Sequence, residues 1–196
     1  MFVIVGLGNP GEEYVRTRHN LGRMVLETIV KDQGVTLHTS AKHRGHVADI
    51  TLAGVAAKAL LPDTYMNKSG SAVNTLVSAV EAPQMLVVVY DDIDLPWGVV
   101  RVAFARGSGG HNGVESIIKA VQTKDFVRIR IGCAPVDHEG MMRKPKGEDA
   151  VVRFLMSDLG KAEQGAYRDT VARVHEALVL LVSKGKDVTM NVVNGA

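Results

Sequence analysis

The sequence predicts a single α/β domain built on a twisted, mixed and mostly parallel sheet flanked by helices. Short apolar β-branched runs alternate with amphipathic helical patterns along the chain, which is the signature of this class. Two neighbouring runs, residues 45–52 and 55–61, are separated only by Ala53-Gly54, so they are predicted to pair as an antiparallel hairpin. A length of 196 residues with 46% hydrophobic content suits one domain with a good core.

Each element follows from its own local pattern. Strands are predicted where apolar runs are bounded by turn residues, at 2–7, 45–52, 55–61, 85–90, 99–104 and 126–133. Helices are predicted at 24–33, 69–80, 112–121, 150–155 and 161–184. Gly185 predicts the end of the last helix. Residues 134–149 are polar, carry glycine and proline and lack a period, which predicts a mobile loop.

Charge and cysteine content exclude several classes of protein. The chain has 23 basic and 21 acidic residues, so any contact with nucleic acid must come from a local basic face rather than from global charge. Arg16, Arg18 and Arg23 form one such basic group. Cys133 is the single cysteine, which excludes an intrachain disulfide and a cysteine-based metal site. With no charged leader and no apolar run of about 18 residues, the sequence predicts a cytoplasmic protein without a membrane contact.

The first 22 residues carry a glycine-broken strand, FVIVGLGNPG, followed by His19 and Asn20. Its glycines match G-x-G-x-x-G, the fingerprint of dinucleotide-binding domains. That fingerprint requires a long helix after the third glycine, and residues 12–19 lack a continuous apolar stripe. The acidic residue at the expected distance, Asp32, falls in a predicted helix instead of at the end of a second strand. The string therefore favours a turn that presents His19 at the carboxyl end of the first strand, where open α/β sheets bind ligands.

Amide and imidazole side chains are the candidate chemical groups of the chain as a whole. Asn9, Asn67 and Asn112 each fall in a strand-to-helix turn, where a single asparagine is explained by helix capping and three together indicate a common site. The run that follows the fourth predicted strand contains three aspartates: Asp91, Asp92 and Asp94. One of these carboxylates can fix the tautomer of His19 while the ring takes a proton from water. The alternative is a solvated acidic turn.

Taken in order, these motifs resemble those of bacterial peptidyl-tRNA hydrolases. The matching strings are GLGNPG, Tyr14, TRHN at 17–20, YMNKSG at 65–70, DDIDLP at 91–96, GSGGHNG at 107–113 and RIRIG at 128–132. Each string alone is weak evidence, whereas the ordered set is highly specific. The resemblance implies one peptidyl-tRNA hydrolase-like domain over residues 1–196, with the loop at about 134–149 and the C-terminal helix at about 161–184.

The resemblance also implies an activity and a set of site residues. The reaction is hydrolysis of the ester between a peptide and the ribose of tRNA, by a carboxylic ester hydrolase that needs no cofactor and no metal. His19 is implied as the general base, Asp91 as the group that orients it, and Asn112 as a further catalytic residue. The residues implied to bind substrate and tRNA are Asn9, Tyr14, Tyr65, Met66, Asn67, His111, Asn112 and Arg130. The implied partner is peptidyl-tRNA, through its acceptor end and 5′ phosphate, with no obligate protein partner and a monomeric state.

The clamp for the tRNA 5′ phosphate is the point at which the chain departs from the family pattern. The family builds it from the arginine matching Arg130 and from a residue in the strand after the DLP turn, which is Ala103 here; Arg101 and Arg106 lie nearby in the sequence. Two other functions stay open at this stage. One is a non-catalytic RNA-binding relative similar to chloroplast splicing factors, and the other is a nucleotide-dependent oxidoreductase with affinity for NAD(H).

Overall fold

The computed structural model describes residues 1–195 and confirms the predicted α/β class. Seven strands form one sheet: β1 (Phe2–Gly6), β2 (His38–Ser40), β3 (Gly45–Leu52), β4 (Val55–Pro62), β5 (Leu86–Pro96), β6 (Val100–Phe104) and β7 (Val127–Ala134). The helices are α1 (Leu21–Asp32), α2 (Ser69–Val73), α3 (Asn112–Val121), α4 (Glu148–Leu155), α5 (Lys161–Lys184) and α6 (Lys186–Gly195). Among the described residues, no helix combines the length and apolarity that crossing a bilayer requires.

The sheet is parallel at its centre and antiparallel at both sides. Its strand order is β2-β3-β4-β1-β5-β7-β6. Strand β1 runs parallel to β4 and β5, and β5 runs parallel to β7. The predicted hairpin of β3 and β4 is confirmed, and β2 and β6 add antiparallel edges. The carboxyl ends of β1, β4, β5 and β7 therefore meet at one edge of the sheet, where open α/β folds bind their ligands.

Two hydrophobic cores cover the two faces of the sheet. Helices α1 and α5 pack on one face, and α2 and α3 pack on the other. Strand β5 alternates between them, with Val87 and Val89 in the first core and Val88 and Tyr90 in the second. Because side chains in a strand alternate with period two, the next residue, Asp91, continues on the α1 face.

Strand β5 continues beyond the predicted range of 85–90. Asp91 lies opposite Ile131, and Pro96 lies opposite Ala134 after a shift in register, so the first aspartates belong to a strand and not to a turn. Gly132 permits this close pairing, because a Cβ atom there would lie 1.9 Å from the carbonyl oxygen of Pro96. The extension fixes the Asp91 carboxylate on a central strand.

Two helical predictions differ from the structure. The helix predicted at 69–80 is α-helical only as α2 and continues as a 3₁₀ turn over Asn74–Ala79. Gly185 ends α5 with a φ of +81°, but the chain starts a further helix, α6, at the next residue. Helix α6 covers the edge strand β6: the Asn194 amide accepts from the N–H of Val102 at 2.9 Å and donates to its carbonyl at 2.8 Å.

Candidate active site

A short turn places His19 beside Asp91, midway along β5. Residues Arg18–Asn20 form a 3₁₀ turn that leads directly into α1. At the start of α1, a Cβ atom on Gly22 would lie 2.2 Å from the carbonyl oxygen of Val89, so glycine is needed for the helix to lie this close to β5. This close approach sets His19 beside Asp91.

His19 and Asp91 form a hydrogen-bonded pair. Nδ1 of His19 lies 3.0 Å and 3.2 Å from the two carboxylate oxygens of Asp91. The His19 side chain is 12% exposed and that of Asp91 is 1% exposed. Since a carboxylate accepts hydrogen bonds, Nδ1 carries the proton and Nε2 is left as the basic nitrogen available to the cleft.

His111 gives the same carboxylate a second donor. Its Nδ1 accepts from the backbone N–H groups of Gly113 and Val114 at 3.2 and 3.3 Å, which caps the N-terminus of α3. A ring nitrogen that accepts cannot carry a proton, so the proton of His111 lies on Nε2, which donates to Asp91 at 3.1 Å. The ring edge also packs on Tyr90 with the centroids 4.8 Å apart. Asp91 is thus held from two sides.

His19 and Asp91 shift the pKa of one another. Burial by itself lowers the pKa of His19, but the charge of Asp91 and its hydrogen bond outweigh burial and hold that pKa above its ordinary value. Burial likewise raises the pKa of Asp91, but His19 and His111 outweigh it and hold that pKa well below its usual range. Asp91 therefore stays ionised, and it favours the protonated form of His19 that a general base passes through.

Asn9 is held in one orientation by its neighbours. Its side-chain oxygen accepts from the backbone N–H of Met66 at 2.7 Å, so its NH₂ group is directed to the other side as a donor. Asn20, which is 1% exposed, accepts from the N–H of Asn9 and donates to its carbonyl at 2.8 and 2.9 Å. Sequence reasoning did not include Asn20 among the site residues, although its place beside His19 was the available signal.

These groups line one cleft of about 730 Å³. Every sequence-predicted site residue except Arg130 lies in its lining: Asn9, Tyr14, His19, Tyr65, Met66, Asn67, Asp91, His111 and Asn112. Asn67 and Asn112 are exposed, and Tyr65 is 58% exposed. The sequence did not predict the opposite wall, which is the apolar face of α4.

Arg130 lies beside the cleft on β7. Its Nε donates to Asp92 at 2.6 Å, and its side chain is 30% exposed. The residue opposite it on β6 is Arg101, whose guanidinium donates to the carbonyl of Val193 in α6 at 3.1 Å. Arg106 is exposed on the loop that follows β6. The family's other clamp position, Ala103, lies on β6 opposite Arg128.

The His19, Asp91 and His111 cluster is better suited to hydrogen bonding than to a metal ion. Its ligand atoms lie within 4.8 Å of one another, but Asp91 lies between the two rings and accepts from both. An ion would have to displace both hydrogen bonds. The arrangement therefore favours proton transfer.

The fold and this cleft define a single-domain α/β protein equipped for acid–base chemistry. The protein-family model "Peptidyl-tRNA hydrolase" matches residues 3–196. The chain is 36% identical over 195 residues to the peptidyl-tRNA hydrolase of Syntrophotalea carbinolica, covering 99% of this chain and 97% of that protein. It is 35% identical to the Aquifex aeolicus peptidyl-tRNA hydrolase, covering 98% and 95% of the two chains. This chain belongs to the peptidyl-tRNA hydrolase family.

A solved structure agrees with that assignment. The crystal structure of peptidyl-tRNA hydrolase from Acinetobacter baumannii superposes with a TM-score of 0.86 at 31% identity, covering 99% of this chain and 94% of that one. The mixed sheet and its flanking helices are therefore the architecture of the family.

Proposed function

We propose that this protein hydrolyses the ester bond of peptidyl-tRNA with a water molecule activated by His19. The observation that carries the proposal is the contact of 3.0 Å between Nδ1 of His19 and the buried carboxylate of Asp91. It leaves Nε2 as the base in a cleft large enough for the end of a tRNA and its acyl group. Membership of the family supports the choice of substrate.

The reaction proceeds in two steps. Nε2 of His19 takes a proton from water while the water oxygen attacks the ester carbonyl carbon, so the carbonyl oxygen becomes an oxyanion. The oxyanion then re-forms the carbonyl, the bond to the ribose oxygen breaks, and His19 returns its proton to that oxygen. The products are the free peptide acid and tRNA with a free hydroxyl. An ester has a good leaving group, so no covalent enzyme intermediate is required.

The asparagines bind the substrate and the oxyanion. Asn112 is the first residue of α3, so a negative charge near its amide is also stabilised by the positive end of the helix dipole. The fixed amide of Asn9 offers its NH₂ group to the substrate, and Asn67 lies exposed in the same lining. Tyr14 and Tyr65 line the cleft and offer ring faces for the terminal nucleotides.

The decisive test is the release of peptide by His19→Ala. Removing a general base should lower kcat by at least about 100-fold on N-acetyl-aminoacyl-tRNA. The variant should keep its fold, but its melting temperature should fall, because the buried carboxylate of Asp91 loses one of its two donors. The matched control is His138→Ala, since His138 is 91% exposed and lies away from the cleft lining.

Two outcomes would overturn the proposal. Near-normal turnover by His19→Ala would exclude His19 as the base. Tight binding of tRNA by the wild-type protein without any release of peptide would instead favour a non-catalytic RNA-binding relative.

A further inference from the structure

Arg18, the residue before His19, lies inside the protein. The sequence groups it with Arg16 and Arg23 as a basic surface, yet its side chain is only 10% exposed. Its Nε and Nη2 donate to the two carboxylate oxygens of Glu163 at 2.9 and 2.5 Å. Glu163 is itself 13% exposed. A two-point contact of this kind fixes distance and angle together, which a lysine cannot reproduce.

The rest of the Arg18 guanidinium binds the connection between α4 and α5. Nη1 donates to the hydroxyl of Ser157 at 2.6 Å and to the carbonyl of Asp158 at 2.8 Å. The guanidinium carbon lies 4.3 Å from the centre of the Phe154 ring on α4. The backbone N–H of Arg18 donates to the carbonyl of Ser157 at 3.2 Å. One side chain therefore joins the turn that carries His19 to the end of α4.

Helix α4 has few other contacts, the main one being Leu155, which is partly buried and packs against the first hydrophobic core. None of its residues is fully buried, and the Arg18–Asn20 turn is the element with which it makes its most extensive contact. One face of α4 and its C-terminal end still forms the apolar wall of the cleft, through Val151, Val152, Leu155 and Met156. The position of this α4 wall therefore depends on the Arg18 anchor together with the packing of one partly buried residue, Leu155.

We propose that the Arg18–Glu163 pair is a positioning device that holds the α4 wall against the cleft and so sets the affinity for substrates with apolar acyl side chains. The proposal rests on the proposed function, because it names the part of the same substrate that the wall contacts. Arg18 does not touch the substrate; it acts through α4. His19 keeps its own support from Asp91, so the chemical step depends less on this pair.

The kinetic test compares two acyl groups on the same tRNA. N-acetyl-phenylalanyl-tRNA and N-acetyl-glycyl-tRNA are hydrolysed by the wild-type protein, Arg18→Lys and Glu163→Gln. In both variants, the ratio of the KM for the glycyl substrate to the KM for the phenylalanyl substrate should fall about 10-fold. This is the size of effect expected for a contact in an apolar pocket. Each kcat should stay within about threefold. The control is Arg168→Lys, which alters an exposed ion pair between α5 and Asp32.

A second variant shows whether Arg18 acts through the wall. Val152 is 53% exposed, so Val152→Ala removes apolar surface from the wall with little effect on folding. Val152→Ala should lower the same preference, and combining it with Arg18→Lys should add little, because coupled residues are not additive. Full additivity of the two changes, or an unchanged preference in both ion-pair variants, would overturn the inference.

Hydrogen exchange separates this inference from the proposed function. In Arg18→Lys and Glu163→Gln, the amides of α4 should exchange faster while those of α1 and α3 keep their rates. If the wild-type protein releases no peptide, the proposed function fails, and faster exchange confined to α4 would still support the anchor. Unchanged exchange in α4 would refute the anchor whatever the activity.

Discussion

The two sides of the cleft are held by different means. On one side, Asp91 lies on a central strand, is 2% exposed, and accepts hydrogen bonds from two histidines. On the other side, α4 has no fully buried residue and is held at one end by Arg18. Proton transfer requires groups fixed within about 0.5 Å, whereas a wall that contacts varied acyl groups must adjust. Under the proposed function, the buried side carries the proton transfer, and the less buried α4 wall contacts the acyl group.

Replacing Asp91 by asparagine, on the buried side, should have the largest effect. The amide keeps the shape but removes the charge that stabilises protonated His19, so kcat should fall by roughly 100- to 10,000-fold. The charge of Asp91 also raises the pKa of His19. Without it that pKa falls, and the acidic limb of the kcat/KM profile should move to lower pH. Steady-state kinetics from pH 5 to 9 measures both quantities.

Asp94→Asn is the matched control for this change. Asp94 is the exposed aspartate of the same run and pairs with Lys144 on the loop before α4. A fall in kcat for Asp94→Asn as large as that for Asp91→Asn would contradict the assignment of the dyad.

His111→Asn should have an effect between those of Asp91→Asn and Arg130→Ala, and it tests the second donor to Asp91. Asparagine still caps a helix, so α3 is preserved, but its shorter side chain no longer reaches Asp91. A carboxylate that has lost one donor is a better acceptor for the proton of His19, so the pKa of His19 rises. The acidic limb should then move to higher pH, opposite in sign to Asp91→Asn. A shift to lower pH would show that His111 does not act through Asp91.

Arg130→Ala should have the smallest effect of these substitutions, because Arg130 lies beside the cleft and is not part of its lining. If Arg130 binds a tRNA phosphate, its loss should raise KM a few-fold and reduce the slope of log KM against log salt by about one, with kcat unchanged. Arg168→Ala, the removal of a cation on α5, serves as the control for net charge. An unchanged salt slope would exclude a phosphate contact by Arg130.

Local patterns were sufficient to predict most of the fold. The apolar spacing of α3 and α5 predicts both helices with the bounds observed, because amphipathic periodicity and burial coincide there. Strand β5 is longer than predicted, since DDIDLP has the composition of a turn and its pairing with Gly132 is a tertiary effect. Helix α6 was missed because Gly185 ends one helix without preventing the next.

The candidate site was predictable where motifs are contiguous. His19, Asp91 and the asparagines stand out by residue type in short turns, and the fold brings them into one cleft lining. The ion pair of Arg18 was not predictable, because its partner Glu163 is 145 residues away in the sequence. From sequence alone, an arginine close to two others is predicted to be a surface charge. Only the tertiary structure shows which of the three is buried.

The pairing of Asn194 with Val102 has a consequence for how this molecule meets its own copies. An edge strand normally offers unpaired N–H and C=O groups, onto which a strand from another molecule can add. At the middle residue of β6, a side-chain amide already occupies both groups. The opposite edge, β2, is only three residues long, which is too short to template much pairing. Neither edge strand of the sheet therefore favours the addition of a strand from another molecule, which is the pairing that leads to aggregation.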